Sequence, residues 1–227
     1  MQTPLREDTA IHVGDYYAHA RQDNAGSLYP VLKRAVDIAG AAAGIILLSP
    51  LFIIVALLIK LEDPKGSVFF YQTRVGKDGV RFRMYKFRSM VANAEEKLKE
   101  LLAQNEISGA MFKMKNDPRI TRIGKIIRKT SIDELPQLFN VLRGDMSLVG
   151  PRPPVEREVA EYTEYDMQRL AVTPGCTGLW QVSGRNSLSF SQMVELDLQY
   201  IRERCLMKDM KILLKTVKAM VGSKDAY

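Results

Sequence analysis

The 227-residue chain has little of the two residue types most used to hold transition metals or relay protons: two cysteines, Cys176 and Cys205, and two histidines, His12 and His19. The cysteines stand in unrelated contexts, with no CxxC and no neighbouring histidine cluster. A zinc site and a disulfide framework are therefore not indicated, and the pair reads as free thiols in a reducing compartment. Both histidines fall in the polar stretch before residue 28, so an imidazole is not expected as the catalytic base. There is no Walker A motif, and no GxGxxG opens a helix after a strand, which argues against a P-loop or Rossmann nucleotide site. No internal repeat or low-complexity tract stands out.

Charge is missing altogether from Ile38 to Ile59, where IAGAAAGIILLSPLFIIVALLI is long enough to cross a hydrocarbon core as a helix. A polar stretch precedes it and no small-residue cleavage pattern follows, so it is not read as a cleavable signal. Ser49 and Pro50 fall at its midpoint. The proline removes a backbone hydrogen bond and crowds the preceding turn, which predicts a kink there. A spanning helix with a tolerated kink is one reading. The flanks favour another: Lys33 and Arg34 on one side, and Lys60, Lys65, Arg74 and Lys77 on the other, both prefer the cytoplasmic face. A helix that enters, bends at Ser49-Pro50 and returns to the same face satisfies both flanks.

Positive charge, by contrast, is abundant. A net charge of +7 implies an acidic partner. Nucleic acid, anionic lipid and phosphorylated small molecules all qualify on charge alone. The expected architecture is α+β and mostly helical. It comprises a polar N-terminal extension (1–28), a re-entrant membrane helix–break–helix (29–62) and a cytoplasmic catalytic domain (63–227) with a short β-hairpin and amphipathic interfacial helices. The hairpin is placed at SVFFYQTRVG and VRFRMYKFRSM, turning at Lys77-Asp78-Gly79. Lys86 and Arg88 share a face of its second strand, where they can meet a phosphate or serve as plain surface cations. Helices are expected over Ala94–Gln104, over Ile120–Lys129 and at the C-terminus. In the last of these, Leu206, Met210, Leu213, Leu214, Val217 and Val221 oppose Lys208, Lys211, Lys215 and Lys218, a pattern suited either to a membrane interface or to packing on a core.

TSIDELPQLFNVLRGDMSLVGPRP, Thr130 to Pro153, holds the adjacent carboxylates Asp133 and Glu134. One reading is helix punctuation. Ser131 and Glu134 fit a capping box, while a competing register makes Asp133 the N-cap with Pro136 in the first turn. The other is a reacting pair, in which an ionised aspartate attacks phosphorus and its neighbour orients a group or handles a proton. The surroundings suit phosphate: prolines restrict the backbone around Arg152, and a fixed guanidinium matches a pair of phosphate oxygens. Downstream, TPGCTGLWQVSGRN, Thr173 to Asn186, is a Gly/Ser/Thr-rich loop carrying Arg185 and suited to a sugar or nucleotide diphosphate.

The motifs KRAVDIAGAAAGIILLSPLF, YKFRSM, SIDELPQLFNVLRGDMSLVGPRP and PGCTGLWQVSGR, in that order, resemble the bacterial sugar transferases, or monotopic phosphoglycosyl transferases. The resemblance runs from about Leu32 to the C-terminal helix. The chain looks like a small catalytic-core form without the long N-terminal membrane region of larger members. The resemblance implies transfer of a sugar 1-phosphate from a UDP-sugar to undecaprenyl phosphate, with release of UMP, at the cytoplasmic face of the bacterial inner membrane. In that scheme Asp133 and Glu134 are the catalytic pair, and Asp133 forms a covalent phosphosugar intermediate. Mg2+ is the implied cofactor and Asp133 its protein ligand. Arg88, Arg152, Arg185 and Lys86 are the implied phosphate or nucleotide contacts, Asp145 a supporting residue, and Ser49-Pro50 the membrane break. A homodimer is expected on family grounds, and nucleic acid is not expected as a partner.

Overall fold

The computed structural model describes residues 28–94, 96–97, 114, 117–184 and 188–222. Helix α1 (Tyr29–Glu62) is followed by an antiparallel hairpin, β1 (Phe69–Val75) and β2 (Arg81–Phe87), paired from Phe69 opposite Phe87 to Val75 opposite Arg81. Its turn falls at Lys77–Gly79, where Asp78 and Gly79 both take positive φ, 55° and 79°; the pleated strands thus reverse over an Asp-Gly step that tolerates this backbone. Then come α2 (Arg122–Lys129), α3 (Gln137–Arg143), β3 (Ser147–Val149), the single turns α4 (Glu156–Val159) and α5 (Glu164–Met167), β4 (Gly175–Thr177), α6 (Phe190–Glu203) and α7 (Leu206–Gly222). β3 and β4 form a short parallel pair. The backbones approach so closely there that a Cβ on Gly175 would sit 2.0 Å from the Gly150 amide nitrogen. The described elements are mostly helical with a hairpin, as expected. Of the helix expected over Ala94–Gln104, residues 94, 96 and 97 are helical and the remainder lies outside the described residues, as does the extension before residue 28.

α1 runs through Pro50 as one helical element. The missing Pro50 N–H would have bonded the carbonyl of Ile46, and the Ser49 hydroxyl donates to that same carbonyl at 2.8 Å. The helix-breaking residue is thus accompanied by the group that replaces its lost bond, and the helix continues where a break was expected. Only 11 % of the apolar window of α1 is buried within the protein, and Ile46, Leu47, Ile53, Ile54, Leu57 and Leu58 are exposed. By length and composition α1 can cross a membrane.

Both ends of α1 dock on the same domain. Near its start Lys33 pairs with buried Asp209 of α7 at 2.9 Å. One turn further on, buried Asp37 accepts from the Ser147 hydroxyl and the Leu148 amide, both at 3.0 Å. Arg34 donates to the carbonyls of Val141 and Leu142, which end α3. At the far end, Glu62 accepts from the amides of Arg122 and Ile123 at the start of α2. Between these anchors, Val55 and Ile59 bury against Phe87 and Ile127. A second core gathers Val149, Val194, Leu198, Tyr200, Ile201 and Ile212 from β3, α6 and α7. α7 buries Ile212 and Asp209 while Met207, Met210, Leu214 and Val217 stay exposed, so part of its apolar stripe has no partner among the described residues.

Candidate active site

The site is built where the hairpin crosses the start of α3. Asn140 of α3 is fully buried; its side-chain amide donates to the Arg83 carbonyl at 2.7 Å and to Asp145 at 3.1 Å, and its carbonyl accepts from the Tyr85 amide at 3.0 Å. This clamp lays β2 over α3. Lys86, the next residue of that strand, then reaches Glu134, Nζ to Oε1, at 2.6 Å. Asp145, expected as a supporting residue, accepts the 3.1 Å bond from Asn140.

Neither capping register expected for the carboxylates occurs. Ser131 adopts a left-handed backbone, φ 56°, and makes no side-chain cap bond. Asp133 and Glu134 lie in a tight 3-10 turn, Ile132–Glu134, and Pro136, not Asp133, stands at the N-cap position of α3. A left-handed serine costs on the order of 1–3 kcal/mol, and such strain persists where the surrounding packing enforces it. Helix punctuation therefore does not account for the pair.

The two acids occupy different surroundings. Asp133 is 8 % exposed and makes no ion pair among the described residues. Burial pushes its pKa up to about 6, with Lys86 and Glu134 acting in opposite directions behind that effect. Burial also raises Glu134, but the charge and hydrogen bond of Lys86, helped by Arg152 and Arg74, outweigh it and hold that carboxyl below its ordinary range. Two neighbouring carboxyls thus titrate apart, the condition under which they can take different chemical roles.

A cleft is lined by Glu134, Lys86 and Arg152, together with Arg74, Gly175, Cys176 and Gln181, while Asp133, next in the chain to Glu134, is not part of that lining. The structure places Lys86 and Arg152, the implied phosphate contacts, in one cleft with Glu134, and the loop beginning at Thr173 supplies one wall. Arg185 lies outside the described residues. Arg88 is absent from the lining: its guanidinium is buried against Asp63, just past α1, through an ion pair and a 3.0 Å bond to the Asp63 carbonyl. The face shared by Lys86 and Arg88 in an ideal strand is lost because β2 ends at Phe87. Arg74 was missed. In the sequence it is one of the cations flanking the apolar run, and no local pattern marks it; it reaches the cleft because the Val75 amide bonds the Pro154 carbonyl at 2.9 Å, pulling the end of β1 onto the loop that carries Arg152.

Among the described residues no cluster of three or more His, Cys, Asp or Glu side chains forms a ready cage for a metal. A buried, unpaired carboxylate is nevertheless a fitting single ligand for a hard cation that takes its other oxygens from water and a substrate phosphate.

The chain is 49 % identical over 200 residues to the undecaprenyl-phosphate galactose phosphotransferase of Salmonella typhimurium, covering 86 % of this chain and 42 % of that protein. It is 46 % identical over 200 residues to the UDP-galactose-lipid carrier transferase of Erwinia amylovora, again 86 % and 42 %. It is 41 % identical over 212 residues to the exopolysaccharide production protein ExoY of Rhizobium meliloti, covering 90 % of this chain and 93 % of that one. The chain thus spans about two-fifths of the length of the first two relatives and nearly all of the third. The exposed apolar length of α1 and relatives of this kind point together to membrane association. The pattern of the family described as bacterial sugar transferase matches residues 28–223, and by that match and these identities the chain belongs to the bacterial sugar transferase family.

Proposed function

We propose that the protein is a phosphoglycosyl transferase that moves a sugar 1-phosphate from a UDP-sugar to undecaprenyl phosphate, as the first membrane step of bacterial polysaccharide or glycoconjugate synthesis. The observation that carries this reading is the buried, uncapped and unpaired carboxylate of Asp133, adjacent in the chain to a Glu134–Lys86 pair that lines a cationic cleft. The names of the relatives supply the substrate classes: a galactose phosphotransferase acting on undecaprenyl phosphate, and a UDP-galactose-lipid carrier transferase.

In this reading a carboxylate oxygen of Asp133 attacks the β-phosphorus of the donor. The bond from that phosphorus to the bridging oxygen breaks, UMP leaves with the electron pair, and the sugar phosphate is held as an acyl phosphate on Asp133. An oxygen of the lipid phosphate then attacks the same phosphorus, freeing Asp133 and forming the lipid diphosphate sugar. Lys86, held by Glu134, places a positive charge beside the reacting phosphoryl group, and Arg152, without a side-chain partner among the described residues, supplies a second.

Mg2+ fits this site with Asp133 as its protein ligand, and when bound it supplies neutralisation of the pyrophosphate as the nucleotide departs. A re-entrant course for α1, bent at Ser49-Pro50, is supported by the docking of both its ends on one domain. That course keeps the cleft at headgroup depth on the cytoplasmic face of the inner membrane, where a lipid phosphate and a soluble nucleotide sugar both reach it.

Intact mass after incubation with Mg2+ and a panel of UDP-sugars, without acceptor, tests the covalent step. The expected result is a gain of one sugar phosphate in the wild type and none in Asp133→Asn. UMP release that requires undecaprenyl phosphate, with no adduct from any donor, would instead establish direct transfer.

A further inference from the structure

The described chain buries several arginines, and all but one have a carboxylate partner. Arg88 pairs with Asp63, Arg119 with Asp117 at 2.6 Å, and Arg169 with Asp197 at 2.7 Å. Arg74 is as buried as these, 6 % exposed, yet no carboxylate lies within ion-pair distance of it among the described residues. Its Nη1 donates to the Pro153 carbonyl at 3.0 Å and its Nη2 to Gln72 Oε1 at 2.7 Å, while Nε–H is buried with no acceptor. Of the two acids whose charge it feels, Glu158 accepts from the Val155 amide and Glu134 is bonded to Lys86. Burial, with the charge of Arg152 behind it, pushes the Arg74 pKa down to about 10, so the guanidinium is still charged at neutral pH.

A buried, charged guanidinium without a counter-ion and with one unmade hydrogen bond is costly, and an anion in the adjoining cleft removes both costs. That cleft is shared by Arg74, Arg152, Lys86 and Glu134. We infer that Arg74 is a phosphate-binding residue of the donor site: its guanidinium holds an oxygen of the nucleoside diphosphate while its bond to Pro153 fixes the loop that carries Arg152. The assignment rests on the proposed reaction for the identity of the anion. It makes β1 a part of the donor site, whereas the motif arginine Arg88 serves to anchor the end of α1. A planar guanidinium can bond the Pro153 carbonyl and an anion together; a lysine offers charge without that fork.

The test is binding of inorganic pyrophosphate and of UDP to the full chain by calorimetry, in the wild type, Arg74→Lys and Arg74→Gln. Arg74→Gln is expected to weaken both ligands at least about tenfold, and Arg74→Lys to fall between it and the wild type. In 15N-arginine-labelled wild type the Arg74 Nε–H resonance should shift on addition of pyrophosphate, a change that a purely structural arginine would not show and that needs no variant to fold. Binding within twofold of wild type in both variants, an unmoved Nε–H signal at saturation, or no pyrophosphate binding to the wild type would each overturn the assignment. Loss of the proposed reaction has a separate signature: no UMP from any UDP-sugar with undecaprenyl phosphate, whatever the pyrophosphate affinity.

Discussion

Lys86 of the hairpin and Glu134 of the turn before α3 meet at 2.6 Å, joining two elements 48 residues apart in the chain. Their side chains are 19 % and 39 % exposed, so after solvent screening the pair contributes only about 0–1 kcal/mol to stability. Its removal should therefore be felt in chemistry. Lys86→Met is expected to lower transfer by about two to three orders of magnitude, as loss of one charge-stabilising donor does, while Tm moves by only a few degrees. UMP release and a thermal melt, run on the same preparation, check both halves.

Asp133 should show the opposite division between activity and stability. Its ionised carboxyl is buried without an ion-pair partner among the described residues, so in metal-free buffer at neutral pH it is a liability to the fold. Asp133→Asn keeps the shape and removes the charge. It is expected to abolish turnover and to raise stability by about 1–3 kcal/mol, which for a chain of this size is a Tm gain of about 2–10 °C. A melt of the two proteins in EDTA decides it; an unchanged or lower Tm in the variant would show that the site compensates this charge in some other way.

The ion pair between Arg88 and Asp63 predicts a pH dependence. The hydrogen bond and charge of Arg88 hold the Asp63 carboxyl below its ordinary range. A carboxyl whose folded pKa is lowered contributes stability above its unfolded pKa, about 3.9, and loses it as pH falls through the folded value. The Tm difference between wild type and Asp63→Asn should accordingly be largest near neutrality and shrink below about pH 4. A difference independent of pH would mean that the 3.0 Å bond from Arg88 to the Asp63 backbone carbonyl, which the variant keeps, carries the anchor.

The course of α1 is accessible to labelling. Leu28 and Lys65 flank the helix and are exposed, and Lys65 is the better second site because a side chain on Gly66 would overlap the Arg88 guanidinium. Leu28→Cys and Lys65→Cys should both react with an impermeant maleimide from the cytoplasmic side of oriented membranes. Reaction from opposite sides would establish a spanning helix and separate the two anchors, Lys33 to Asp209 and Glu62 to α2.

What the sequence by itself determined is what depends on neighbours along the chain. The uncharged run around Ser49-Pro50, the Asp-Gly turn between two β-rich stretches, the helix expected over Ile120–Lys129 and formed over Arg122–Lys129, and the order of the family motifs are all local patterns. So is the adjacency of Asp133 and Glu134. The tertiary structure decided how those residues are used, because partners are chosen by packing between distant segments. The clamp from Asn140 puts Lys86 on Glu134, and the end of β2 turns Arg88 away toward Asp63. The bond from Val75 to Pro154 brings Arg74, a residue in no recognised motif, to the cleft. Capping registers were legible at Ser131 and Asp133, yet the chain takes neither, since the left-handed turn at Ser131 instead buries Asp133 where it makes no ion pair among the described residues. A sequence displays which charges a chain owns; only the fold decides which of them are neutralised internally and which are left for a substrate.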